Sequence, residues 1–258
     1  MTNIFTVTAS NFRNFHMIAR LFLVAMMFVV EFSPWYLLVS FIAYLIYFAI
    51  GQGVMLHRYY SHNMFKFRFA AVKWIFVIIT MMTCRGGPIG WSYVHRVHHE
   101  NVDDEHDPHS PHHSKFNLFG LSDDNKVSGN MNPHKVKNLL SKENLRLAEY
   151  YWLYALTIPA IMLILSVEVF YYGWLVPICL FQFMSMIFNY ANHVKMPGSY
   201  TNHSTGKVGK SVNNWLLWPL AFGEAWHNNH HARPGDMNFG YKWWEIDPNY
   251  WIIKLVKK

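Results

Sequence analysis

The sequence predicts an all-α membrane protein made of two transmembrane helical hairpins, four spans in all, with a cytoplasmic helical cap that carries the histidine-rich segments. Three observations lead there. Charged residues make up 14% of the chain and hydrophobic residues 52%, against roughly 25% charged in an ordinary soluble domain. Uncharged apolar stretches of spanning length recur along it. All 22 lysines and arginines fall on segments that two hairpins would leave on one side of a bilayer. The length of 258 residues suits a single membrane-embedded domain, 1–258.

A hydrocarbon core needs about 20 apolar residues per helix. The first expected span, about 16–32, is the weakest, because it contains Arg20 and reaches spanning length only if that side chain snorkels. The second, about 34–56, carries no charge. The third, about 150–168, lies between Glu149 and Glu168. The fourth, about 172–190, sits inside the uncharged run 169–194. Residues 74–84 are apolar but too short to cross, and read as an interfacial or internally packed helix. Residues 122–146 read as a solvated loop leading into a helix from about Pro133.

With turns at Glu31–Trp35 and Glu168–Gly173, neither turn holds a Lys or Arg. The positive-inside rule then places the N-terminal arm, the loop 57–149 and the tail 195–258 in the cytoplasm, with both termini and the active site on that side of a multi-pass protein. The arm shows no small-residue cleavage site, so a removable secretory signal is not expected. Cys84 and Cys179 form no Cys-x-x-Cys pair and read as buried reduced thiols. The net charge of +7 favours anionic headgroups, a phosphate-bearing substrate or an acidic carrier. The basic residues are scattered between spans and form no dense block, which excludes nucleic acid as the expected partner and leaves the lipid bilayer.

Nine of the 16 histidines fall in three clusters and one outlier: His57 and His62; His95, His98 and His99; His227, His230 and His231; and His193. Neutral imidazole is a good ligand for iron, copper, zinc and nickel. Positions i, i+3 and i+4 share a helix face, so each His-x-x-His-His triplet can converge. The i to i+5 pair His57 and His62 points apart on a straight α-helix at about 100° per residue, and is expected to converge only if the helix ends between them. Asn189 stands one turn before His193 and can hold a metal-bound water. The other seven histidines (His16, His106, His109, His112, His113, His134 and His203) lack this support and read as loop or packing residues. A carboxylate-bridged centre uses paired Glu-x-x-His motifs. Only one occurs, Glu224 to His227, so that class is excluded, and the His-Glu-x-x-His metalloprotease motif is absent.

These segments closely resemble the integral-membrane fatty acid desaturase family, of the kind that introduces a first (Δ9) double bond. The resemblance rests on His57-Arg58-Tyr59-Tyr60-Ser61-His62, on His95-Arg96-Val97-His98-His99, and on Glu224-Ala225-Trp226-His227-Asn228-Asn229-His230-His231. It extends to Trp91, to Asp107-Pro108-His109-Ser110, to Asn189 and His193, and to the tail around Trp243, Trp244, Glu245, Asp247 and Pro248. It covers about Gly51 to Leu255.

The resemblance implies a non-haem centre of two iron ions held by His57, His62, His95, His98, His99, His193, His227, His230 and His231, with Asn189 acting through a water. It implies oxygen-dependent insertion of a cis double bond into a saturated acyl chain, with O2 as co-substrate and Trp91 contacting that chain. The substrate would be an acyl-CoA, an acyl-ACP or an acyl-lipid. The stretch Arg85–Gly90 departs from the animal acyl-CoA enzymes and looks more bacterial. No His-Pro-Gly-Gly occurs among these residues, so the expected electron donor is a separate ferredoxin or cytochrome b5-like protein. Two other readings fit the histidine pattern: a membrane di-iron hydroxylase of alkyl chains or lipids, and a metal transporter or sensor. A transporter should carry its ionisable ligands near mid-span, whereas these cluster beyond the span ends.

Overall fold

The computed structural model describes residues 6–7, 9–108, 110–112, 129–204 and 208–258. His109, His113 and residues 122–128 of the expected loop lie outside the described residues. The chain is mostly helical: α1 (Ala9–Met26), α2 (Pro34–Ser61), α3 (Ala70–Met82), α4 (Pro88–Glu100), α5 (Lys142–Glu149), α6 (Tyr151–Leu165), α7 (Val167–His193), α8 (Trp218–Ala221), α9 (His227–Ala232) and α10 (Pro248–Val256). Among the described residues, two antiparallel ladders of two residues each accompany them. Thr6–Val7 pairs with Gly129–Asn130, and Ser199–Tyr200 pairs with Asn213–Asn214. They are too short to change the class.

Among the described residues, two helices are long and apolar enough to cross a membrane, α2 and α7. A third span results if α5 and α6, bent by 67° at Tyr150, count as one. Helix α7 lies at the centre, with α1, α2 and α6 packed on it. Its side chains Phe170, Trp174, Ile178, Phe181 and Phe188 are buried. Leu21, Val24, Trp35, Leu38, Leu153 and Ile164 on the surrounding helices are exposed, an apolar surface that water would not favour and acyl chains would.

Local chemistry sets the helix ends. Ser33 is extended and its hydroxyl accepts from Tyr36 N–H, with Pro34 in the first helical position. Ser166 does the same for α7, accepting from Glu168 and Val169 N–H. Helix α7 therefore begins at Val167, earlier than the 172 expected from hydropathy. Glu168 is not a turn residue but lies in the first helical turn, where the helix dipole favours a carboxylate. Helix α1, Ala9–Met26, likewise starts and ends earlier than 16–32. The helical segment expected from about Pro133 is a 3-10 turn, Pro133–Leu139, followed by α5. Helix α3, too short to cross as expected, buries Phe76, Val77, Thr80 and Met81 and packs on α2 and α6.

Helix α7 is tied to the turn between α1 and α2 through Tyr172. The Tyr172 hydroxyl donates to Glu31 O at 2.8 Å and accepts from Ser33 N–H at 3.3 Å. Helices α2 and α7 leave this end side by side, so their far ends, carrying His57 and His193, meet at the opposite end of the bundle.

Candidate metal centre

Four segments supply the nine histidines: the end of α2, α4, the end of α7, and α9. They form two groups. His57, His62, His95, His99 and His230 make one; His98, His193, His227 and His231 make the other. In each group one ring nitrogen per residue lies within 4.8 Å of all the others. The groups adjoin, with the His99 ring stacked on His231 at 4.5 Å between centroids.

The triplets divide rather than converge whole. On α4, His95 and His99 go to one group and His98 to the other. On α9, His227 and His231 go together and His230 crosses over. Helical periodicity explains it. At about 100° per residue, i and i+4 are about 40° apart, while i+3 and i+4 diverge by about 100°. Each helix thus offers two imidazoles to one side and one to the other, in complementary fashion.

His57 and His62 meet for a reason other than the expected one. The helix does not end between them. From Tyr47 to Ser61 α2 is wound with i→i+5 hydrogen bonds, and His62 N–H donates to His57 O at 3.2 Å. In that winding the fifth residue on stands about one turn above, which brings the rings to 5.2 Å. Gly53 lies in this stretch because a Cβ there would strike the Asn249 side chain of α10.

Carboxylates orient three of the rings. His57 Nδ1 donates to Glu224. His98 Nδ1 donates to Asp107 at 2.8 Å, and His193 Nδ1 donates to Asp103 at 3.0 Å. An ionised carboxylate only accepts, so in each case the proton sits on Nδ1 and Nε2 presents a lone pair inward. Those atoms face further Nε2 atoms. His57 meets His230 at 2.9 Å, His98 meets His231 at 3.2 Å, and His193 meets His227 at 3.1 Å. A proton can bridge one such pair at a time, whereas a cation at the centre is shared by four or five nitrogens. The donor set therefore fits a metal ion in each group. Burial pushes His95, His99, His227, His230 and His231 well below the ordinary imidazole range, with neighbouring histidines adding to it. The rings are neutral and ready to ligate.

The arginines and asparagines of the three motifs build the scaffold. Arg96 donates to Ser61 O at 2.8 Å and Tyr60 O at 3.1 Å, satisfying the carbonyl end of α2 from α4. Arg58 is fully buried. It pairs with Glu224 and with Asp247 at 2.9 Å, donates to Gly53 O at 2.8 Å, and lies over the Phe239 ring at 3.6 Å. Burial would raise the Glu224 carboxyl, but His57 and Arg58 beside it prevail and hold it down at about 2. Asn229 bonds to Glu245 at 2.9 Å and Phe239 O at 2.8 Å; Asn228 donates to His203 O and Ser211 O. These two asparagines lock α9 to the tail. Gly240 is required there because a Cβ would collide with the carbonyl of Glu245.

Trp91, one turn before His95, is half-buried and stacks on that ring at 4.9 Å and 18°. Asn189 is half-buried one turn before His193. His16 is buried elsewhere, its Nε2 3.1 Å from Cys84 O. His106 and His134 are exposed, and His203 lies beside Tyr241. His112 joins neither group but donates to His193 O at 3.1 Å. Cys84 and Cys179 are free thiols. Sequence reasoning missed Asp103 altogether, and used Arg58, Asp247, Glu224 and Asp107 only as members of the quoted motifs. The usable signal was the requirement that a ligating imidazole donate its second nitrogen to a partner.

The fatty acid desaturase family model matches residues 33–255, and the chain belongs to that family. Its relatives include the chloroplastic palmitoyl-monogalactosyldiacylglycerol delta-7 desaturase of Arabidopsis thaliana, 28% identical over 228 residues, covering 85% of this chain and 59% of that protein. The acyl-CoA C20 Delta5-desaturase of Anemone leveillei is 28% identical over 224 residues, covering 85% of this chain and 70% of that protein. The sn-1 stearoyl-lipid 9-desaturase of Synechocystis sp. is 27% identical over 260 residues, covering 95% and 75%. The chain thus spans 59–75% of the length of these three relatives.

Proposed function

We propose that this chain is an oxygen-dependent, non-haem di-iron desaturase that places a cis double bond, Δ9 by its motif pattern, in a saturated fatty acyl chain. The observation that carries this is the convergence of nine imidazoles from four segments into two adjoining groups, three of them backed by carboxylates. One iron would be held by His57, His62, His95, His99 and His230. The other would be held by His98, His193, His227 and His231, with Asn189 acting through a water.

An unactivated methylene offers no acid–base handle, so the chemistry the iron pair supplies with O2 is the oxidising power to remove two hydrogens. Reducing O2 to two waters as the alkane becomes an alkene takes two further electrons and two protons. A separate ferredoxin or cytochrome b5-like donor would deliver the electrons. The chain's own residues hold and orient. Glu224, Asp107 and Asp103 fix the imidazole tautomers, burial keeps bulk water from the rings, and Trp91 beside His95 would help align one carbon pair of the substrate. The relatives' names include a stearoyl-lipid and an acyl-CoA desaturase; an acyl-lipid, an acyl-CoA or an acyl-ACP suits the reading.

Expression in a host lacking unsaturated fatty acids, followed by profiling of fatty methyl esters, tests it. A new monoenoic ester is the expected result, with the bond position read by fragmentation. An alcohol product would assign the chain to the hydroxylase alternative, and no change in the profile would contradict the oxidase reading.

The same proposal includes four spans in two hairpins, α1–α2 and the α5/α6–α7 pair, with both termini and the histidines cytoplasmic. The absence of Lys and Arg from the turns near Glu31 and Ser166 supports that orientation. Cysteines placed at Glu31 and Glu168 are expected to label from outside with an impermeant maleimide. Labelling only after permeabilisation would contradict the topology.

A further inference from the structure

Resting on the membrane reading above, we infer that residues 215–222 are a re-entrant segment, which enters the lipid leaflet on the histidine side next to α2 and returns to the third histidine motif. The run reads Trp-Leu-Leu-Trp-Pro-Leu-Ala-Phe, uncharged and far too short to span. It winds as a 3-10 turn, Trp215–Leu217, then α8, then a second 3-10 turn, Phe222–Ala225, that leads into α9. Between the turns Phe222 has φ of 51°, a left-handed conformation that a bulky residue rarely adopts. The chain doubles back across it, since the indole N–H groups of Trp218 and Trp226 both donate to Ile246 O, at 2.7 and 2.9 Å.

A single hydrogen bond gives the depth. The Tyr44 hydroxyl donates to Leu220 O at 2.7 Å. Tyr44 stands ten residues into α2 from Pro34, about 15 Å along a helix and so near the middle of a hydrocarbon core about 30 Å thick. At that level α2 exposes Leu38, Phe41 and Ile42, and the tip of the segment continues the same apolar surface. Trp215 is 54% and Leu216 47% exposed, and Pro219 is exposed, while Leu217 and Ala221 face inward and are buried.

Lipid demands that backbone polar groups find partners within the protein. Leu216 N–H donates to Asn214 Oδ1 at 3.1 Å, Trp218 N–H to Trp215 O, and Phe222 N–H to Trp218 O. Leu220 O, at the end of a four-residue helix, takes the Tyr44 hydroxyl instead. Beside Ile246 the chemistry changes to that of the headgroup zone. Trp243 is 94% exposed, and the Lys242 ammonium lies over the Tyr200 and Trp244 rings at 5.0 and 5.4 Å. Tryptophan favours that zone, and lysine meets anionic headgroups there. Since Phe222 precedes His227 by five residues, a segment held in the leaflet fixes the height of the third histidine motif over the acyl chains.

Fluorescence quenching tests this on iron-loaded protein in nanodiscs of phosphatidylcholine and phosphatidylglycerol. Leu216→Cys and Pro219→Cys, each combined with Cys179→Ala and with Cys84 left in its buried place, would carry an NBD label. Doxyl-labelled lipid is expected to quench both labels and iodide neither, as at Val39→Cys on the exposed face of α2. His106→Cys, in the exposed loop, should show the reverse. Two sites keep the test open if one variant does not fold. Iodide quenching at either site would put the segment in water. Protection from both quenchers would mean that protein, a second copy of this chain included, covers it. Either result overturns the inference, and lipid quenching at Val39→Cys then leaves the membrane reading standing. Quenching of Val39→Cys by iodide alone would overturn both.

Discussion

Replacing His98 or His230 by alanine is expected to abolish desaturation, to below about 1% of wild type, while the protein stays in the membrane fraction. Loss of an outer partner of a metal ligand alone typically costs 10–100-fold, and these rings would touch the metal directly. The two residues belong to different groups, so failure at both would show that both positions are needed for turnover. Their removal leaves the α2 and α7 packing intact, which is why insertion should survive. His106 supplies the control. Its side chain is 74% exposed beside Glu105, and His106→Ala should retain activity within about twofold, as surface substitutions usually do. Substantial turnover in His98→Ala and His230→Ala, measured in the fatty methyl ester profile, would remove both rings from the metal.

The second large effect is on stability. Arg58→Ala should destabilise the protein by about 3–5 kcal/mol, the usual consequence of removing one member of a buried ion pair. It would strand Glu224 and Asp247 as buried anions, empty the space over Phe239, and remove the side-chain hydrogen bonds to Gly53 O and Met237 O. Arg58→Lys should recover only part, because an ammonium lacks the planar fork that reaches both carboxylates. Thermal melting in detergent measures this. An Arg58→Ala protein that melts like wild type would contradict the structural role assigned to the cluster.

Legibility from sequence divides along physical lines. The nine clustered histidines stand out because imidazole triplets at i, i+3 and i+4 between apolar runs have few other uses. Their partition between two groups was within reach of the same helical arithmetic, since i pairs with i+4 and i+3 turns away. The winding that joins His57 to His62 was not, because i→i+5 hydrogen bonding leaves no periodic signature in these residues. The backing carboxylates were hidden for another reason. Asp103 reaches His193 across 90 positions of sequence through a left-handed residue in a loop, and Asp247 reaches Arg58 across 189.

The long helices followed the hydropathy pattern in placement. Their ends did not, because hydropathy does not register a serine cap. Ser166 moves the start of α7 back to Val167, and Glu168 is absorbed into the helix that hydropathy would have begun after it. Helix α1 shows the same limit: it runs from Ala9 to Met26, several residues earlier at both ends than the apolar count of 16–32.

Metal analysis of the purified protein, with Mössbauer spectroscopy on iron-57-grown material, bears most directly on the two converging histidine groups. About two irons per chain in nitrogen-rich, non-haem environments is the expected result, since nine imidazoles can serve two ions. Stoichiometric zinc from iron-replete cells, with no iron and no iron-dependent activity, would contradict it.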